Sequence, residues 1–162
     1  MSRSTSCARD YNRRVTRGMS GAHGTKVPPW ARVPVAVERF LLRAQCPPHI
    51  QQAVLALRDH IATCGPARWR GSRRRFWTLT ASVRGHLVCI INWQAADSRV
   101  YVVVRDRAPG DGPLVNFTYI GRPDPAFVPV DSVDAAVALF PRLTTAYALA
   151  SRPRPASPSR TI

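Results

Sequence analysis

The chain has 162 residues, and its 45% hydrophobic content is enough for one domain with a single core. No apolar run approaches the roughly 18 residues of a membrane-spanning helix, and no apolar segment follows the basic N-terminus, so we expect a soluble protein without a membrane partner. Its net charge of +15 favours an anionic partner, above all nucleic acid.

More than half of this charge lies near the two ends of the chain. Residues 1–30 carry six basic side chains and one acidic, the last twelve residues carry three basic and none acidic, and residues 31–150 carry fifteen and eight. Because neither end shows a hydrophobic period, we expect disordered basic tails at residues 1–29 and 151–162 around one domain at residues 30–150. We expect a cytoplasmic protein, although the Ser-, Thr- and Arg-rich beginning leaves a mitochondrial transit peptide as an alternative.

Two helices open the predicted domain. The first covers residues 34–45, where three apolar side chains share a face and two prolines follow. The second covers residues 48–63, where apolar side chains recur at helical spacing: Ile50, Val54, Leu57 and Ile61. Gly65 and Pro66 follow as the stop signal.

The middle of the chain then changes to the period of a strand. Strands are predicted at residues 76–83, 86–93, 99–105 and 114–120, with a tight hairpin turn at Arg84 and Gly85. After a proline-rich link, Asp131 is predicted to cap a last helix that Pro141 kinks or restarts. This order predicts an α+β fold: an antiparallel four-stranded β-meander with two preceding helices and one following helix packed on one face.

The segment between the second helix and the first predicted strand mixes arginines with aromatic residues. Arginine grips phosphates and aromatic rings stack on bases, so this mixture suits RNA or single-stranded DNA. The alternative is a solvated loop whose tryptophans, including Trp77, belong to the core. The candidate nucleic-acid-binding residues are Arg68, Trp69, Arg70, Arg73, Arg74 and Arg75.

Metal binding and catalysis find little support in the sequence. Cys46 with His49 and His60 with Cys64 have ligand-like spacing, but a helix between the pairs would hold them about 16 Å apart at a rise of roughly 1.5 Å per residue. His86 has no recognisable nucleophile nearby, and no phosphate-binding loop or hydrolase motif is present. We therefore name no catalytic residue, metal site or cofactor, and the sequence favours a non-enzymatic module.

Two resemblances keep other functions open. Residues 50–107, with Arg-bearing strands after a helical pair, resemble the ribosome-dependent endoribonuclease toxins of toxin–antitoxin modules, although their opening strand is missing. Residues 100–140, with an aromatic strand, the link 126–132 and a closing helix, are similar to some immunity proteins of polymorphic toxin systems, although the usual closing signature is absent. The alternatives to nucleic-acid binding are therefore a protein-interaction domain, such as an immunity or antitoxin-like inhibitor, and a small endoribonuclease.

Overall fold

The computed structural model describes residues 32–73, 76–106 and 127–153. Two helices come first, five strands follow, and two helices end the described chain. The bounds are α1 Val35–Arg43, α2 Pro48–Cys64, β1 Arg68–Arg73, β2 Trp77–Val83, β3 His86–Gln94, β4 Arg99–Val104, β5 Phe127–Val130, α3 Val133–Val137 and α4 Phe140–Ala150. The predicted α+β class is confirmed, with helices before and after an antiparallel sheet.

The sheet has five strands instead of the predicted four, in the order β1-β2-β3-β4-β5, and every neighbouring pair is antiparallel. The Arg- and aromatic-rich segment, which we placed between the second helix and the first strand, forms β1, and the expected proline-rich link contains β5. The strand predicted at residues 114–120 lies outside the described residues. The predicted N-terminal tail also lies outside the described residues. Of the predicted C-terminal tail, only residues 151–153 are described.

The predicted hairpin turn between β2 and β3 is confirmed. Arg84 and Gly85 both have positive φ, 51° and 82°. A type I′ turn requires positive φ at both central residues, and its twist matches that of the two strands.

The core lies between the helices and one face of the sheet. Leu79, Ile91 and Val102 lie side by side on β2, β3 and β4 and are fully buried. Ile90 and Val103 pair on the opposite face and are buried as well. A strand that is buried on both faces needs apolar residues at successive positions, and this explains the nearly continuous apolar sequence of β3.

The helices supply the other side of the core. Both predicted N-terminal helices are confirmed, and the first buries Val37, Phe40 and Leu41 while it lies against β1 and β2. The second starts with Pro48 in its first turn, where a missing N–H costs nothing, and packs on α3 and α4. No helix in the described parts of the chain is long and apolar enough to cross a membrane.

The C-terminal helical segment is divided in two, as Pro141 predicted. The first piece ends at Val137, and α4 begins at Phe140 with the proline in its first turn. The predicted cap at Asp131 is wrong by one residue: the Ser132 hydroxyl accepts a 3.2 Å hydrogen bond from the Ala135 N–H. This position lets the cap oxygen reach an amide of the first turn that has no partner within the helix.

Candidate nucleic-acid interface

A groove of about 480 Å³ separates α1 from the edge strand β1. This volume lies within the range typical of ligand-binding clefts. Among the described residues, four arginines and three aromatic residues contribute to its wall, and no carboxylate does. The lining residues are Ala36, Arg39, Phe40, Arg43, Trp69, Arg70, Gly71, Ser72, Arg73 and Trp77.

One wall of the groove comes from α1. Because the helix buries Val37 and Phe40, it turns Arg39 and Arg43 toward solvent, and both are exposed. The two arginines are four residues apart, so they are neighbours on the helix surface, where like charges destabilise the helix by a few tenths of a kcal/mol. Arg43 lies in the last turn, where the helix dipole favours a cation, so helix stability accounts for Arg43 but not for Arg39.

The other wall comes from β1 and its neighbour β2. The register pairs Trp69 with Ala81, Gly71 with Leu79 and Arg73 with Trp77, so these β1 residues lie on the face that carries the core. Trp69 is half-buried and packs against the core cluster. Trp77 is also half-buried and packs against the same cluster. The alternative interpretation, in which the tryptophans belong to the core, therefore holds for part of each side chain.

The close approach of α1 to β1 occurs at Gly71. A Cβ atom added at this position would lie 3.5 Å from the carbonyl oxygen of Ala36, which is an ordinary van der Waals distance. The helix therefore nearly touches the strand here, while the larger side chains around this point enclose the groove.

The Arg73 guanidinium lies over the ring of Trp77, with 5.2 Å between its central carbon and the ring centroid. This distance is within the range of a cation–π contact. A stacked guanidinium keeps its N–H donors in its own plane, so it can bind a phosphate while it remains stacked. The contact therefore holds the Arg73 guanidinium against the ring without using its N–H donors.

The structure separates the six predicted binding residues. Three of them, Trp69, Arg70 and Arg73, line the groove, and Arg68 lies on β1 without lining it. The remaining two, Arg74 and Arg75, lie outside the described residues.

Sequence reasoning missed the helix wall. Arg39 and Arg43 come about thirty residues before β1, and the sequence does not show that the two segments meet. Their spacing of four on the polar face of an amphipathic helix was the available signal.

Of the histidine and cysteine side chains away from the groove, His60 packs against another element, and Cys46 and Cys89 are buried in the core. The His60 ring stacks on Phe140 with 4.0 Å between centroids, and its Nε2 lies 2.9 Å from the Thr144 hydroxyl. Burial lowers the His60 pKa, against a backbone hydrogen bond at Phe140 that raises it. Burial raises the pKa of Cys46 to about 11 and that of Cys89 to about 12, so both thiols stay protonated at neutral pH.

The two pairs of residues with metal-like spacing lie at opposite ends of α2. Cys46 and His49 are near its first residue, while His60 and Cys64 are in its last turn. Among the described residues, no three His, Cys, Asp or Glu side chains are grouped closely enough to hold a metal ion.

Comparisons of the chain with protein-family models, with curated proteins and with solved structures found no match in any of the three.

Proposed function

We propose that this protein is a non-enzymatic module that binds nucleic acid, as RNA or single-stranded DNA, in the groove between α1 and β1. The observation that carries the proposal is the composition of the described groove wall, where four arginines meet two half-buried tryptophans and no described carboxylate. Arginines supply the phosphate contacts that dominate nucleic-acid affinity, and aromatic rings supply stacking that any base can use.

The concave shape favours unpaired nucleotides over a duplex. In a duplex the bases are stacked inside and present only their edges, so the tryptophan rings of a groove reach a base face only when the base is unpaired. Arg73 supports the same conclusion, because its stack on Trp77 prepares one cation beside an aromatic surface. The net charge of +15 adds a long-range attraction for any polyanion.

The test compares two double variants that remove the same charge. Arg39→Gln with Arg43→Gln removes the helix wall of the groove, whereas Arg99→Gln with Arg152→Gln removes two arginines on other elements. Fluorescence anisotropy with a labelled single strand, repeated over a series of salt concentrations, gives the affinity and its salt dependence.

We expect the groove variant to lower the slope of log affinity against log salt by about 1.4, at about 0.7 for each lost single-strand phosphate contact. The control variant should change the slope little. Equal effects from the two variants would show that only total charge matters, and unchanged binding in the groove variant would refute the proposed site. A duplex that binds as tightly as a single strand would refute the preference for unpaired nucleotides.

A second candidate function is the protein-interaction domain, and exposed apolar side chains on and beside α1 favour it. Val35 and Leu42 have exposed fractions of 64% and 77% and lie seven residues apart, on the same side of the helix. Exposed apolar side chains grouped on one helix face are a feature of protein-binding surfaces. Replacing both residues with Gln should leave single-strand binding intact if the groove is the site, whereas loss of a copurifying protein would favour the inhibitor.

A further inference from the structure

The arginines of the groove have no acidic partner within the described parts of the chain. Elsewhere, Arg142 binds both carboxylate oxygens of Asp106, at 2.6 and 3.2 Å, and Arg58 forms an ion pair with Asp59. No described carboxylate forms a hydrogen bond or an ion pair with an arginine that lines the groove. Their charges are therefore available to a ligand. These arginines are Arg39, Arg43, Arg70 and Arg73.

The charge of the groove is large for its volume. A cleft of about 480 Å³ is in the size range for one small ligand, so it holds roughly one or two nucleotides of a strand. Each phosphodiester carries one negative charge, so such a stretch brings about one or two charges to four arginines. A terminal phosphomonoester alone carries about −1.5 to −2 at pH 7. The phosphorylated end of a strand therefore matches the charge of the groove better than the interior of a strand does.

The close approach of α1 to β1 also restricts how a strand can lie in the groove. The carbonyl oxygen of Ala36 would be 3.5 Å from a Cβ atom at Gly71, so the helix and strand backbones are too close for a nucleotide to pass between them. A strand that enters the groove must therefore end there or leave on the side from which it entered. An end meets this restriction without any bend of the strand.

Arg73 and Trp69 can each contact one part of such an end. The stack of Arg73 on Trp77 leaves its in-plane N–H donors able to bind two oxygens of one phosphate. Trp69 lies on the same face of β1, four residues away, which is about 13 Å at roughly 3.3 Å per residue. A phosphate at Arg73 therefore leaves room for the adjoining base to reach the ring of Trp69.

We propose that the groove binds the phosphorylated end of a single strand, with the terminal phosphomonoester in contact with Arg73 and an adjoining unpaired base against Trp69. This inference rests on the proposed function of the groove, and it names the part of the strand that the groove selects. The ligand chemistry is a terminal phosphomonoester, which a strand can carry at its 5′ or at its 3′ end.

The experiment compares single strands of one sequence that differ only at their ends. The probe is an internally labelled strand of about 8 nucleotides, phosphorylated at both ends, and its binding is followed by fluorescence anisotropy. Four unlabelled strands compete with it: one with a 5′-phosphate, one with a 3′-phosphate, one with neither, and a circular strand that has no end.

We expect at least one phosphorylated strand to compete about tenfold better than the unphosphorylated one, because the additional charge meets arginines that have no described acidic partner. The better of the two phosphorylated strands identifies the selected end. Equal competition by all four strands would overturn the selection of ends while the groove stays supported. Absence of salt-dependent binding of the probe would overturn the proposed function and this inference together.

Two single variants on the same strand test the contact with Arg73. Arg73→Gln removes an exposed arginine that lines the groove, and Arg68→Gln removes an exposed arginine of β1 that does not line it. We expect the tenfold preference to fall to about twofold in Arg73→Gln and to stay unchanged in Arg68→Gln. An unchanged preference in Arg73→Gln, or an equal loss in both variants, would overturn the contact. Circular dichroism shows that each variant is folded before binding is compared.

The pH gives a second readout that needs no variant. A phosphomonoester takes up its second proton with a pKa of about 6, whereas arginine keeps its charge at every pH used here. The charged side chains of the described groove wall are all arginines. We therefore expect the preference for the phosphorylated strand to fall by about threefold between pH 7.5 and pH 5. An equal preference at the two pH values would overturn the selection of the phosphomonoester by its second charge.

Discussion

The helices meet their neighbours differently at α1–β1 and at α2–α4. Specific polar and aromatic contacts close the α2–α4 end: the Tyr147 hydroxyl donates to the Pro66 carbonyl at 2.9 Å, and His60 stacks on Phe140. At the α1–β1 end a groove remains, lined by arginines from both elements. The same small domain therefore fills one helix contact with side chains and leaves a groove beside another, next to the close approach of α1 to β1 at Gly71.

The two glycines at these places show how much the contacts differ. A Cβ atom at Gly65 would lie 2.4 Å from the Tyr147 hydroxyl oxygen, and the residue has a φ of +143° that side chains rarely adopt. A Cβ atom at Gly71 would make an ordinary contact. No space is left for a side chain at Gly65, so the groove beside Gly71 is a local feature of α1 and β1.

The largest expected effect is on stability at the closed end. Gly65→Ala should lower the free energy of unfolding by about 3 kcal/mol, because it combines a strained backbone with a steric overlap. Gly71→Ala is the matched change at the open end and should alter stability by less than about 1 kcal/mol. Urea unfolding followed by circular dichroism measures both. Similar losses from the two variants would contradict the difference between the ends.

The next effect concerns ligand binding at the open end. Trp69→Ala should weaken single-strand binding by about 1 to 3 kcal/mol without changing the salt slope, because stacking releases few counterions. Trp69→Phe keeps an aromatic face and should retain most of the affinity. Because Trp69 also packs against the core, anisotropy is measured at a temperature where circular dichroism shows the variant folded. A reduced slope in Trp69→Ala would show that the ring serves only to position the arginines.

The smallest effect is a pH dependence at the closed end. Burial lowers the His60 pKa from its ordinary 6.5, so the unfolded chain binds a proton at higher pH than the folded chain does. The stability that His60 contributes is therefore complete above about pH 6.5 and is lost as the pH falls through the folded-state value.

His60→Asn should show a smaller loss of stability than the wild type between about pH 7.5 and pH 5, and the exposed His49→Asn serves as its control. Urea unfolding at the two pH values gives the difference. If the wild type and His60→Asn show the same pH dependence, the lowered pKa of His60 does not contribute to the loss of stability at low pH.

Most of the fold could be predicted from local patterns. The stripe that includes Ile50 and Ile61 predicted α2, and the alternation that begins at Trp77 predicted β2. These elements bury a full face, so their apolar residues repeat with a clear period. β1 has no such period because it is an edge strand: Trp69 packs against the core and Gly71 meets the helix backbone. The alternate positions are the exposed Arg68, Arg70 and Ser72.

The groove could be predicted only in part, because it depends on a contact between separate segments. The arginine and aromatic residues of β1 are consecutive and visible in the sequence, and the structure places Trp69, Arg70 and Arg73 at the groove. Arg39 and Arg43 join them only because α1 folds against β1 and β2. The placement of Trp69, Gly71 and Arg73 on the core face likewise needed the strand and its register with β2.

The order of the strands has a consequence for how the chain folds. Each strand pairs with the next one in sequence, and only two residues separate β2 from β3. Contacts between segments that are close in sequence require little loop closure and favour rapid folding. The hairpin of β2 and β3 can therefore form first, while the pairing of β4 with β5 must wait for the long connection at residues 105–126 to close. Only three residues separate β1 from β2, so this pair can form equally early. The exposed Arg68 and Arg70 side chains are not part of the core cluster, so their substitution should leave the refolding rate of the domain nearly unchanged.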